Sequence, residues 1–159
     1  MSIVYLGLGS NLGDRLANLR AAVDALGPEV RVLAESGIYE TPPWGYTEQP
    51  AFLNMALKAE TNLEPRALLK HLKNIEAGLG REKSFRYGPR KIDMDILLYE
   101  DRIFSNEMLV IPHPRLHERA FVLVPLADVG AEVKHPVLHK TVTEMLVEVD
   151  AGAIHKIDG

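Results

Sequence analysis

The chain contains no cysteine, which excludes a disulfide framework, an iron–sulfur cluster, a thiolate zinc site and a cysteine nucleophile. Aromatic residues are scarce, 6% of 159, so each ring can be placed individually. Long apolar runs are missing as well. The stretch at residues 3–8 falls far short of the roughly 20 residues that a membrane-spanning helix needs. No basic region followed by an apolar core opens the sequence, so neither a secretory signal nor a membrane partner is expected, and a cytoplasmic protein is. No Pro/Gly/Ser-rich linker separates two cores, and the length suits one domain over residues 1–159.

An excess of positive charge is also absent. The net charge of −4 argues against nucleic-acid binding by the whole chain. The distribution says more than the sum. Residues 81–91 (REKSFRYGPRK) carry five basic residues and one acid, net +4, which leaves −8 for the rest. A basic segment on an acidic chain points to a local anion site; the plain alternative is a solvated loop.

Residues 2–8 read as a buried strand ended by Gly9-Ser10-Asn11. Leu16, Leu19, Val23 and Leu26 then recur at helical spacing and stop at Gly27-Pro28. Residues 30–39 read as one strand with Val30, Val32, Ala34, Ser36 and Ile38 on one face, and residues 51–61 as another. Pro65 suits a first helical position, and Leu68, Leu72, Ile75 and Leu79 form the next stripe, closed by Gly78 and Gly80. Residues 92–99 read as a strand. Thr141 with Glu144 matches a capping box opening a short helix with Val142, Met145, Leu146 and Val149 inward. The rest of the C-terminal third reads as irregular. The order β-α-β-β-α-β predicts an α/β (α+β) fold of ferredoxin-like βαββαβ type with a mostly antiparallel sheet.

Asp93-Met94-Asp95 is the most informative triplet. Strand alternation puts Asp93 and Asp95 on one face, about 6.6 Å apart at Cα, with Ile92, Met94, Ile96 and Leu98 toward the core. Two like charges on one face are unfavourable unless a cation compensates. Arg86, Arg90 and Lys91 stand just before them, and hard carboxylate oxygens beside arginines suit magnesium bound to a polyphosphate. The plain reading is a solvent-facing strand.

On the strand at residues 51–61, Leu53, Met55, Leu57 and Ala59 form the apolar face, so Phe52 and Asn54 share the other. Phe52 is then either core of a sheet covered on both sides or a ring platform with an amide beside it, suited to a flat heterocycle. The preceding Thr41-Pro42-Pro43-Trp44-Gly45-Tyr46 is a stiff aromatic loop that could wall the same pocket. Gly7-Leu8-Gly9-Ser10-Asn11-Leu12-Gly13 imitates a dinucleotide fingerprint. Leu12 occupies the third glycine's place and no repeated βαβ units follow, so a tight strand-to-helix turn is the reading favoured. His113-Pro-Arg-Leu-His117 and His135-Pro-Val-Leu-His139 repeat one pattern. Four imidazoles could bind zinc, but the prolines do not secure helical ligand spacing, and chance similarity is favoured. His113, near Arg115 and Arg119, could instead donate to phosphate oxygens.

These pieces together resemble the 6-hydroxymethyl-7,8-dihydropterin pyrophosphokinase family of folate biosynthesis. The resemblance rests on Gly9-Ser10-Asn11-Leu12, Tyr39-Glu40-Thr41-Pro42-Pro43, Gln49-Pro50-Ala51-Phe52-Leu53-Asn54, Ile75-Glu76 with Gly80-Arg81, Tyr87-Gly88-Pro89-Arg90 with Asp93-Met94-Asp95-Ile96-Leu97, and Pro112-His113-Pro114-Arg115 with Arg119-Ala120-Phe121. They stand in the family's order over residues 3 to about 127. The resemblance implies an ATP-dependent diphosphotransferase that moves pyrophosphate to the pterin hydroxymethyl and releases AMP, on a sheet with helices on both faces.

It also implies roles. Asp93 and Asp95 would hold two magnesium ions, with Arg81 and Arg90 beside them as catalytic groups. Thr41, Pro42, Trp44, Phe52, Asn54 and Phe121 would bind the pterin, sandwiched between Phe52 and Phe121. Lys83, Tyr87, Arg90, Ile96, His113 and Arg119 would bind ATP. The expected partners are these two small molecules, with no nucleic acid and no membrane, and a monomer is expected. The chain departs from the family pattern at Met94, where a branched aliphatic is usual, at Lys83 for arginine, at Tyr87 for tryptophan and at Trp44 for an aliphatic. Two other classes compete: an RNA-binding sheet, which Asp93 and Asp95 oppose by repelling a phosphate backbone, and, more weakly, a nicotinamide oxidoreductase.

Overall fold

The computed structural model describes residues 1–42, 50–80 and 91–157. The chain runs β1 (Ser2–Ser10), α1 (Arg15–Ala25), β2 (Val30–Glu35), β3 (Ile38–Thr41), β4 (Phe52–Thr61), α2 (Pro65–Gly78), β5 (Asp93–Tyr99), β6 (Phe104–Ser105), β7 (Val110–Ile111), α3 (Ala120–Gly130), α4 (Val142–Val147) and β8 (His155–Ile157). The main sheet has the order β5-β1-β4-β3-β8, with β2 also on β4. Every described pairing in it is antiparallel. With β2 and β3 counted as one interrupted strand, the βαββαβ order is the ferredoxin-like one.

Helices cover both faces, because alternate residues of each central strand are apolar on both sides. Val4, Leu6 and Leu8 of β1 pack with Leu19 of α1 and Leu68 and Leu72 of α2. On the opposite face, Tyr5 and Ala56 pack with Leu123 and Leu126 of α3 and with Val142 and Met145 of α4. Asp14 caps α1 by accepting from Ala17 N–H at 3.1 Å, and Gly27, at φ +66°, turns the chain out of the helix. The capping box of α4 forms: Thr141 Oγ1 accepts from Glu144 N–H, and Glu144 Oε1 accepts from Thr141 N–H.

Five sequence expectations are corrected. Residues 30–39 are two strands, not one. Ser36 interrupts them, its hydroxyl accepting from Ala56 N–H at 2.8 Å, while Gly37 N–H leaves the ladder and donates to Asp128 Oδ2 at 3.0 Å. A register shift between Val32 and Ala34 also turns Ala34 away from the face of Val30. On β5, Leu6 pairs with Ile96 but Tyr5 with Leu98. Leu97 is therefore an extra residue, and Leu98 packs on the α3 side rather than with Met94 and Ile96. Strand β1 runs on through Gly9 to Ser10. The C-terminal third is less irregular than expected: it also carries α3, with Pro125 in its interior, against the usual rule for proline, and β8, which pairs with β3 at the sheet edge.

The two His-Pro segments share one local geometry. His113 Nδ1 accepts from Arg115 N–H at 3.3 Å, and His135 Nδ1 accepts from Val137 and Leu138 N–H, both at 3.1 Å. The repeat is a ring-capped turn used twice. Among the described residues no three His, Cys, Asp or Glu side chains gather to hold a metal, and no helix is long and apolar enough to cross a membrane.

Candidate active site

Sheet register places the candidate residues. Gly9 of β1 pairs with Asp93 of β5 on one side and with Asn54 of β4 on the other, and Asn54 pairs with Tyr39 of β3. Asp93, Gly9, Asn54 and Tyr39 thus form one row across four neighbouring strands. The next row along carries Asp95, Gly7 and Ala56. With strands about 4.8 Å apart, the carboxylate end and the amide end of the first row are separated by roughly 10 Å of glycine floor.

Side chains on β1 would fill that floor. A Cβ on Gly9 would stand 2.8 Å from Asn54 Oδ1 and 3.5 Å from Phe52 Cδ1. The same distances locate Phe52 and Asn54 on one face, as alternation predicts. Phe52 is half-buried rather than enclosed in the core. Asn54 is buried, and its Nδ2 donates to Thr41 Oγ1 at 2.8 Å. Thr41 pairs directly with Phe52, so Thr41, Phe52 and Asn54 converge at the amide end, with Pro42 following Thr41 at the surface.

Asp93 and Asp95 are half-buried on the same face. Two carboxylates on one face fit magnesium, which takes oxygen ligands, keeps several waters and is shared with substrate phosphates. His113 lies close enough to feel Asp93 and Arg119 electrostatically, and its backbone N–H donates to Leu97 O at 3.0 Å, tying it to the β5 edge. Burial first, and the Arg119 charge second, push its pKa down to about 4. It is therefore neutral near pH 7. With Nδ1 accepting from Arg115 N–H, its proton sits on Nε2, where it can donate to an anion. Arg119 and Phe121 open α3, the Arg119 guanidinium lying 5.5 Å from the Phe121 ring centre.

Ile96 is placed differently from a ligand-binding side chain. It is 3% exposed within the core under α2, so β5 offers a ligand only backbone there. Trp44, Arg81, Lys83, Tyr87 and Arg90 lie outside the described residues.

Sequence reasoning gave no role to several supporting residues. Glu76 of α2 is 1% exposed, and its Oε2 accepts from Met94 N–H at 2.7 Å, between the two aspartates. Its signal was a carboxylate beside the apolar stripe of Leu72, Ile75 and Leu79. Tyr39 Oη donates to Asp128 Oδ2 at 2.7 Å, joining β3 to α3. Burial and that carboxylate push the Tyr39 hydroxyl up to about 12. Asn11 Nδ2 donates to Pro50 O at 3.1 Å, and Arg15 Nη1 to Ala51 O at 2.8 Å.

The chain matches the family described as 7,8-dihydro-6-hydroxymethylpterin-pyrophosphokinase (HPPK) over residues 5–131. It is 47% identical to a 2-amino-4-hydroxy-6-hydroxymethyldihydropteridine pyrophosphokinase of Methylorubrum extorquens, over 99% of this chain and all of that one. A Bacillus subtilis protein of the same name is 47% identical over 84% of this chain and 81% of its own. In fold, the chain is similar to a Plasmodium falciparum HPPK-DHPS crystal structure, with a TM-score of 0.75 at 19% identity over 92% of this chain. It spans 44% of that longer chain.

Proposed function

The chain belongs to the 7,8-dihydro-6-hydroxymethylpterin-pyrophosphokinase family, and we propose that the row from Asp93 across Gly9 to Asn54 is where its reaction takes place. The enzyme transfers pyrophosphate from ATP to the hydroxymethyl group of 6-hydroxymethyl-7,8-dihydropterin in folate biosynthesis, releasing AMP. The observation that carries the site assignment is the register of that row, with Asp93 at one end, Asp95 beside it in the next row, and Asn54 at the other end beside Phe52.

In this reading the pterin lies over Phe52, with Phe121 as its second ring and with Asn54, Thr41 and Pro42 at its edge. Its hydroxymethyl group then points along the glycine floor toward Asp93 and Asp95. The hydroxymethyl oxygen bonds to the β-phosphorus of ATP. The bond from that phosphorus to the bridging oxygen of the α-phosphate breaks, AMP leaves with that oxygen, and the hydroxyl proton passes to solvent water. Asp93 and Asp95 would hold magnesium, two ions in this proposal, which when bound would neutralise negative charge developing on the phosphate oxygens. Neutral His113 donates its Nε2–H to a phosphate oxygen, and Arg119 adds positive charge at the start of α3. Arg81, Lys83, Tyr87 and Arg90 are assigned to the triphosphate, and Trp44 to the pterin, on the sequence resemblance alone. We take residues 1–159 to act as one domain, as a cytoplasmic monomer.

Incubation with ATP, magnesium and the hydroxymethyl-dihydropterin, followed by nucleotide chromatography, tests the reaction: AMP and a pyrophosphorylated pterin are expected, and stoichiometric ADP with a monophosphorylated pterin overturns it. Phe52→Ala tests the site. It should weaken pterin binding by roughly 1–3 kcal/mol, the range for stacking on an aromatic, and leave ATP binding unchanged. Intact pterin affinity with a lowered melting temperature would make Phe52 a core residue.

A further inference from the structure

The glycine-rich segment at residues 7–13 is only partly explained by the clearance at Gly9. Just beyond it, Arg15 opens α1 and reaches both strands that carry the amide end of the site. Its Nη1 donates to Ala51 O at 2.8 Å and lies 2.8 Å from Glu40 Oε2. Ala51 immediately precedes Phe52, and Glu40 immediately precedes Thr41. Phe52 and Thr41 are themselves the terminal register pair of the β3–β4 ladder. Asn11, 1% exposed, holds the adjacent Pro50 carbonyl at 3.1 Å. Its own segment is braced by Asn18, whose Nδ2 donates to Ser10 Oγ at 3.2 Å and to Leu12 O at 2.8 Å.

We propose that Arg15, with Asn11, is a positioning residue for pterin recognition: it clamps residues 40 and 51 together and so holds the Thr41–Phe52 pair in its binding geometry. This rests on the assignment of Phe52 and Thr41 to the pterin. Terminal pairs of a strand ladder open most easily, since few contacts oppose local unfolding there. A guanidinium nitrogen with two hydrogens serves a carbonyl and a carboxylate at once, and binds both strands from outside the ladder. A pterin that meets an already ordered pair loses less affinity to ordering. The clamp contributes little to global stability, because the Arg15 and Glu40 side chains are 30% and 40% exposed and exposed ion pairs are weak. Recognition and stability therefore separate.

The test compares Arg15→Gln, Arg15→Lys and Phe52→Ala with the wild type. Pterin affinity is measured at saturating magnesium and an unreactive ATP analogue, the analogue's affinity is measured separately, and the melting temperature is recorded. Arg15→Gln should weaken pterin binding about three- to tenfold, leave analogue binding unchanged and shift the melting temperature by at most a few degrees. Arg15→Lys should fall between, since an ammonium lacks the planar fork. Amide exchange at residues 52–54 should quicken in the same order. Unchanged pterin affinity in Arg15→Gln, beside weakened affinity in Phe52→Ala, overturns the clamp alone. Unchanged affinity in Phe52→Ala overturns the pterin platform and the clamp with it. Equal loss of both ligands together with melting reduces Arg15 to a structural role and also overturns the proposal.

Discussion

Gly9 and Asn54 face each other across β1 and β4, and a methyl group on Gly9 would stand 2.8 Å from the Asn54 side-chain oxygen. That oxygen belongs to the amide that donates to Thr41. Gly9→Ala should therefore displace the amide and break its bond to Thr41. Pterin affinity should fall about tenfold or more, as expected when a recognising polar group is moved, while ATP affinity holds. Calorimetric titration with each ligand checks this, and equal affinities in variant and wild type would show that the floor tolerates a side chain.

Glu76 supplies the acceptor for the Met94 N–H between the two aspartates. Glu76→Ala leaves that donor without it in a buried setting, which should cost roughly 1–3 kcal/mol. Because Met94 sits between Asp93 and Asp95, the same variant should need more magnesium for half-maximal turnover. Glu76→Gln keeps an acceptor and should recover most of both losses. Denaturant unfolding and magnesium titration of AMP release read the two effects separately.

The sheet pairings explain which parts of this site were legible in sequence. Strand alternation sufficed to put Phe52 with Asn54 and Asp93 with Asp95, because β4 is regular throughout and β5 is regular up to Ile96. It failed at Ala34 and Leu98, where one extra residue in a strand reverses every following face. The Gly9 clearance was hidden because a glycine's role inside a strand depends on which side chains the neighbouring strands bring to it. Helix α3 was obscured by Pro125, which in a long polypeptide usually ends a helix. Glu76, Arg15 and Asp128 act on backbone groups far away in sequence, and residue type and spacing carry no mark of such partners.

His135 is buried, and its Nδ1 accepts two backbone N–H groups. Burial, then the nearby His117 and His139, hold its pKa below the usual histidine value. Below about pH 6.5 the unfolded chain takes up a proton that the folded chain refuses, so stability falls as the pH falls. Above that pH the contribution is fully present. His135→Asn retains an acceptor for the turn but cannot titrate near there. Its melting temperature should decline less than that of the wild type between pH 7 and pH 5. Parallel curves would show that His135 is not a source of the acid sensitivity.

In the proposed site, Asp93 and Asp95 act together on the transferred phosphates. Magnesium-dependent AMP release from Asp93→Asn, Asp95→Asn and the double variant tests it most directly. Each single change should lower turnover by orders of magnitude, and the double should be little worse than the poorer single, because groups that act as a unit are not additive. All three should fold, since each substitution removes part of a like-charge pair from one strand face. Near-wild-type turnover in either single variant would contradict the two-carboxylate site.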